Sequence, residues 1–183
     1  LQIAARAQLA RLTAAWIDAD HTFNPAWAAH LGVDTEHMPL AQPHSAEQAL
    51  EIARTLAASA AVDLLVVDSA AALLPKLEMS LGLGSTPGLH SRVRAGGLRK
   101  LAQRLTRSDT CVVFLNQMRN RVEAGGETSA GGPPLKLQAT VRIMLMPAGG
   151  SRIALRIAKN KAGSGLAGRE LHRRTGEGFV ESP

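Results

Sequence analysis

A chain of 183 residues, 45% of them apolar, can bury a core and is too apolar to stay disordered. Its 21 Lys and Arg against 15 Asp and Glu give a formal charge of +6, and no apolar run approaches the roughly 18 residues of a membrane span. The single Cys, Cys111, excludes an intrachain disulfide framework and points to the cytosol; lying in an apolar run, it is expected to be a buried structural residue.

The opening LQIAARAQLARL carries no initiator Met and no basic-then-apolar leader, and reads as a fragment beginning inside a helix. LTAAWIDAD (12–20) reads as a strand. NPAWAAHLG (24–32) reads as a short helix with Asn24 as N-cap, Pro25 at the first helical position and Gly32 at the stop. MPLAQP (38–43) is a short strand, and 45–59 is a helix whose Ser45 and Gln48 form a capping-box pattern. AVDLLVVDS (61–69) is continuously apolar, as a parallel strand buried on both faces must be. An amphipathic helix over 89–106 leads into a strand at 109–117. Strands at 139–147 and 151–160 are joined by a tight Ala-Gly-Gly turn, and a last strand spans about 168–174. Strand–helix alternation followed by a meander predicts one α/β domain over 1–183, a mostly parallel twisted sheet flanked by helices, with an antiparallel extension.

Two segments, 80–87 and 120–134, are rich in Gly, Ser, Thr and Pro and follow predicted strand ends. That is the edge where open α/β sheets place ligands, and the second segment is long for a structureless loop. Between Arg92 and Arg121 lie eight Lys or Arg, opposed only by Asp109. They are Arg92, Arg94, Arg99, Lys100, Arg104, Arg107, Arg119 and Arg121, and they read either as a solvated helix face or as a footprint for a phosphate backbone.

The strand over 61–69 ends on Asp68 after four apolar residues. A carboxylate there either accepts hydrogen bonds from loop N–H groups or organises Mg²⁺ beside a nucleotide. It has company: Asp18 and Asp20 end the first strand, Asn116 and Gln117 end the strand after it, and Lys159 and Lys161 end a later one at period two. The six His show no metal-ligand spacing, and Ser69 has no G-x-S-x-G context for a nucleophile.

Six collinear segments resemble the RecA family of homologous-recombination ATPases. They are WIDADHTFNPAWAAHLGVD, QPHSAEQALEIARTLAASAAVDLLVVDSAAALLPKLE, GLHSRVRAGGLRKLA, FLNQMR, ETSAGGPPLKLQATVRI and AKNKAG…GEG. The resemblance implies a P-loop NTPase core and an intact parent that is a DNA-dependent ATPase. Such a protein binds single-stranded DNA as a helical filament, engages duplex DNA during strand exchange, uses ATP and Mg²⁺, and needs no membrane. It implies Asp68 as the Mg²⁺-organising residue, Asp20 as the activator of the hydrolytic water, and Gln117 as the γ-phosphate sensor. It further implies Trp27 and Asn24 at the adenine, and Lys159 and Lys161 reaching the ATP of an adjacent subunit. Arg92, Arg99, Arg119, Gly131 and Gly132 would lie along the DNA.

The departures are specific. The G-x-x-x-x-G-K-[ST] phosphate loop, the N-terminal polymerisation helix and the C-terminal domain do not occur within the sequence, so it is expected to be a core fragment starting just after that loop. Asp20 stands where the family has Glu, which shortens its reach by about 1 Å. The second loop is shorter than usual and lacks bulky apolar residues, and Gly96 and Gly97 weaken the basic helix by roughly 1 kcal/mol each relative to Ala. These features keep two other readings in view, a non-catalytic regulator of the same fold and a plain basic nucleic-acid-binding module.

Overall fold

The computed structural model describes residues 1–81, 89–121, 126–129, 132–163 and 168–181. The elements run α1 (Gln2–Leu9), β1 (Ala14–Asp18), α2 (Pro25–His30), β2 (Leu40–Ala41), α3 (Ala46–Ser59), β3 (Leu64–Asp68), α4 (Lys76–Leu81) and α5 (Leu89–Leu105). They continue β4 (Cys111–Phe114), β5 (Met118–Arg121), β6 (Gly126–Ser129), α6 (Gly132–Gln138), β7 (Val141–Pro147), β8 (Arg152–Asn160), β9 (Gly168–Arg174) and β10 (Gly178–Glu181). Among the described residues no helix is long and apolar enough to cross a membrane.

A parallel sheet in the order β2-β1-β3-β4 forms the centre. Because strand side chains alternate between faces, β1 and β3 each serve two cores. Ala15, Ile17, Leu65 and Val67 pack with Ala46, Ala49, Ala53 and Ala57 of α3 and with Leu101 of α5. Ala14, Trp16, Leu64 and Val66 pack with Ala4 and Ala5 of α1 and Ala28 of α2. Burial on both faces explains why these strands read as unbroken apolar runs.

The antiparallel part is a sheet of its own, in the order β10-β9-β8-β7, and among the described residues its strands are not hydrogen-bonded to the parallel sheet. Gly149 (φ +90°) and Gly150 (φ +60°) supply the left-handed turn between β7 and β8. The β9–β10 hairpin is tied to the helices of the parallel half. His30 Nε2 donates to the Gly176 carbonyl. Gln2 Nε2 donates to the Phe179 carbonyl at 2.9 Å, and Gln2 Oε1 accepts from the Phe179 N–H at 2.8 Å.

Several expectations change. The first strand is confined to five residues, because Ala19 and Asp20 turn back to donate their N–H groups to the Asp68 carbonyl. The described part of segment 120–134 is not structureless: Met118–Arg121 and Gly126–Ser129 pair antiparallel, and Gly132–Gln138 is helical. Cys111 is exposed rather than buried, since β4 is the last strand of its sheet and lacks a neighbour on one side. At the start of α3, Ser45 Oγ accepts from the Gln48 N–H at 3.2 Å as expected, but the Gln48 side chain reaches one residue further back, to the His44 N–H at 2.8 Å.

The two adjacent glycines of α5 have different reasons. A methyl on Gly97 would overlap Leu50 Cδ1 and stand 3.3 Å from Leu50 Cβ, on the buried face of α3. Among the described residues, nothing lies within 4 Å of the corresponding position on Gly96. Gly97 therefore permits the close approach of α5 to α3, while Gly96 only weakens the helix. Gly96→Ala is expected to stabilise the chain by about 1 kcal/mol. Gly97→Ala is expected to destabilise it by about 1–3 kcal/mol through overpacking, despite the same gain in helix propensity. Urea unfolding midpoints of the two variants separate in opposite directions from the wild type.

Candidate nucleotide and nucleic-acid site

The parallel pairing of β1 and β3 sets Asp18 beside Asp68 in register. Both strands reach the sheet edge together, and two carboxylates arrive at one place. The next residues add Asp20 and Ser69, with the Ser69 hydroxyl 3.5 Å from Asp20 Oδ1. The β4 end is carried to the same edge, where the Leu115 N–H donates to Val67 O and the Ala70 N–H donates to Leu115 O. Asn116 and Gln117 follow directly.

The carboxylates then divide by environment. Asp18 is fully buried. Burial alone would raise its pKa, but a hydrogen bond from Gln42 Nε2 at 2.9 Å, those from the Phe23 and Thr22 N–H groups at 3.0 and 3.1 Å, and the nearby His21 outweigh it. The carboxyl is held below its ordinary range, and its acceptors are used up in shaping the 19–23 turn. Asp68 is different. Partial burial raises its pKa first, and repulsion from Asp20 and then Asp18 raises it further. Asp18 is an organiser of the backbone. Asp68 is an ionisable group held at a cost beside like charge.

Among the described residues no cluster of three His, Cys, Asp or Glu forms a complete metal cage. A protein cage is not what Mg²⁺ beside a nucleotide requires, since one or two carboxylates with phosphate and water oxygens complete its octahedron. Asp68, half-buried and crowded by Asp20, fits such a partial site, because a cation relieves the repulsion that raises its pKa. Asp18, with its oxygens already committed, does not.

Asn24 Oδ1 caps α2 by accepting from the Trp27 N–H at 2.9 Å. Trp27 is 38% exposed and stacks on His30 with centroids 5.2 Å apart and planes 18° from parallel. Through His30 the ring is coupled to the β9–β10 turn at Gly176. Gln117 is exposed, and its N–H donates to Asn116 Oδ1. Neither Gln2 nor His30 was singled out from the sequence. Each acts across more than 140 positions, and no local pattern marks such contacts.

The lysines sit elsewhere. Between Arg142 and Ile143 the β7–β8 register shifts, leaving Ala158 unpaired, so Lys159 lies opposite Arg142 rather than continuing the Ile157 face. Lys159 Nζ donates to the Lys136 and Leu137 carbonyls at the end of α6, at 2.9 and 3.0 Å. Partial desolvation, then Lys161 and Arg142, hold its pKa below the usual lysine range. The hydrogen bonds of Lys159 thus go to α6 and not to the aspartate edge.

The basic cluster also divides. Arg92 and Arg99 are exposed and seven residues apart on one face of α5. Arg94 is buried and donates to the Leu73 carbonyl at 2.8 Å, so it leaves the footprint and becomes part of the packing. Arg104 docks α5 on α3 through the Ala58 carbonyl at 3.0 Å. Gly132 opens α6. Gly131 and the Arg119 side chain lie outside the described residues.

The opposed shifts at the two paired aspartates predict opposite pH behaviour. Asp18 has a lowered native pKa, so its contribution is present above the unfolded value near 3.9 and is lost as pH falls through the native one. Asp18→Asn is expected to lower the melting temperature at neutral pH, leaving a loop N–H facing an amide donor at a cost of about 1–3 kcal/mol, with the deficit shrinking on acidification. Asp68 has a raised native pKa, so its penalty is full above that value and absent below the unfolded one. Asp68→Asn is expected to raise the melting temperature at neutral pH, with the gain fading in acid. Thermal melts of both variants across the acid range check the two signs.

The sequence has clear relatives. Residues 1–174 match the model of the RecA N-terminal domain. The chain is 38% identical over 192 aligned positions to Protein RecA of Caulobacter vibrioides (strain NA1000 / CB15N), covering 98% of this chain and 54% of the relative. It is 40% identical to Protein RecA of Gluconobacter oxydans (strain 621H) and 39% identical to that of Acidiphilium cryptum (strain JF-5), in each case over 98% of this chain and 56% of the relative. The chain therefore spans about half the length of the curated relatives it matches, and it belongs to the RecA family.

Proposed function

We propose that the intact protein is an ATP-dependent recombinase that binds single-stranded DNA as a filament and acts in homologous recombination and repair in the cytoplasm. The observation that carries the reading is the pairing of β1 with β3, which delivers Asp68 and Asp20 to one edge while committing Asp18 to the loop behind them. ATP would lie along this edge, with the Asp68 carboxylate holding a Mg²⁺-bound water. The ion would supply charge neutralisation at the phosphates. Asp20, held near Ser69, would accept a hydrogen bond from the attacking water, and Gln117 would report the state of the γ-phosphate to the segment that begins at β5.

Trp27 offers an exposed aromatic face for adenine, and Asn24 fixes the helix that carries it. Lys161, exposed beside Lys159, would reach phosphate across a subunit interface. Arg92 and Arg99, with Arg119 and the Gly131–Gly132 backbone, would follow single-stranded DNA and then the duplex exchanged with it. Arginines placed at the backbone, without base-edge readers, suit binding that tolerates any sequence.

Two experiments on the full-length protein test this. A water-activating carboxylate must stand about 2.6–3.2 Å from the water. Asp20→Glu restores the longer reach, so it is expected to raise ATP turnover with little change in nucleotide affinity, while Asp68→Ala is expected to abolish turnover and weaken Mg²⁺-dependent nucleotide binding. Flat or lower turnover in Asp20→Glu, with chemistry rate-limiting, overturns the role given to Asp20. For DNA, Arg92→Ala and Arg99→Ala are each expected to make the plot of log affinity against log salt shallower by about 0.7, the value for one phosphate on a single strand. An unchanged slope removes that residue from the contact.

A further inference from the structure

At the opposite end of the parallel sheet, α3 and α5 both finish where β3 and β4 begin. Thr110 there bonds to the Val62 carbonyl, and the Cys111 N–H bonds to the Asp63 carbonyl. Between the two helix ends is an open groove of about 490 Å³, lined by Arg54, Lys100, Gln103, Arg104, Thr106 and Arg107. Four of the six side chains are cationic, two are neutral hydrogen-bonding groups, and none is apolar.

One of the cations is explained by packing, since Arg104 holds the end of α3 at the Ala58 carbonyl. Lys100 and Arg107 are not explained this way: both are exposed, and neither forms an ion pair with a described carboxylate. Arg54 is paired with Glu51 through its Nε at 3.0 Å. That carboxylate is held below its ordinary range first by the Arg54 hydrogen bond and also by the charge of Lys100. Lys100 follows Arg99 directly on α5, about 100° further around the helix, and Arg107 lies in the turn just beyond its end at Leu105. The basic surface therefore passes from the Arg92–Arg99 stripe through Lys100 to the turn that closes α5.

We propose that this groove is a second nucleic-acid contact, which takes the phosphodiester backbone of a strand at the sheet edge remote from the aspartates. The inference rests on the reading of the chain as a DNA-binding protein and extends it to residues to which the family resemblance gives no role. The lining chooses the ligand. An acidic protein partner would need apolar anchors at the centre of its interface, and this groove has none. A lining of guanidinium forks, an ammonium, a hydroxyl and an amide matches phosphate oxygens and cannot read bases, so the contact is independent of sequence.

The test compares, in the intact natural protein, the double variants Lys100→Gln with Arg107→Gln and Arg92→Gln with Arg99→Gln, and the single variant Glu51→Gln. Binding of a labelled single-stranded oligonucleotide is read by fluorescence anisotropy over a salt series, with melting curves confirming that each variant folds. Loss of two phosphate contacts is expected to make the log–log salt slope shallower by about 1.4 in the groove double variant, and additively with the Arg92 and Arg99 changes. Glu51→Gln, which frees Arg54 from its carboxylate partner, is expected to tighten binding. An unchanged slope in the groove double variant beside a shallower one in the Arg92–Arg99 variant overturns the groove and leaves the DNA reading standing. A wild type that binds no DNA overturns both. Loss of poly-glutamate binding in the groove variant, with DNA binding intact, overturns the proposal in favour of a protein partner.

Discussion

The parallel register of β1 on β3 is the constraint on which the rest depends. Pairing Ala14 with Leu64 fixes Asp18 opposite Asp68 four residues later. A shift of one residue would turn every side chain of β1 to the other face and empty both cores. Burial of Ile17 and Leu65 on one side and of Trp16 and Val66 on the other makes such a slip costly. The acidic edge is thus held in place by apolar packing several residues away, and the hydrogen bonds at the edge refine a position that the cores have already set.

The same division of labour recurs among charged residues. Of the paired aspartates, one is consumed in ordering a loop and one is left ionisable. Of the arginines on α5, Arg94 and Arg104 hold the helix to its neighbours, while Arg92 and Arg99 face solvent. Residue type and spacing alone do not separate these roles. The separation comes from the angle of each residue around a helix whose buried side is defined by Leu98 and Leu101.

What could be read from the sequence follows from the range of the interactions involved. The β1 and β3 strands, α2 with its Asn24 cap and α3 with its Ser45 cap are encoded by nearby residues, and they stand where the spacing puts them, give or take strand ends. The exposure of Cys111 was not legible, because its apolar neighbours are identical whether β4 lies inside a sheet or at its margin. The reorientation of Lys159 depends on a bulge that two strands create together. The hairpin and helix within 118–138 were hidden by a Gly- and Pro-rich composition that resembles loop. The resemblance supplied roles for Asp68, Asp20 and Gln117, but not the way in which Asp18 differs from its neighbours. That difference needed the positions of Gln42, Thr22 and Phe23.

The Gln2 side chain has a further meaning. Its amide donates to and accepts from Phe179 as the backbone of another strand would, and a Cβ on Gly178 would stand 2.7 Å from Gln2 Oε1. A single primary amide thus occupies part of the free margin of β10, which otherwise offers unpaired peptide groups to any passing chain. The contact spans 177 positions, the kind of closure whose entropic cost defers it to late in folding. The last hairpin therefore joins a framework already assembled around β1 and β3. A unit joined so late is expected to open before that framework does, with slower amide exchange in β3 than in β9 and β10.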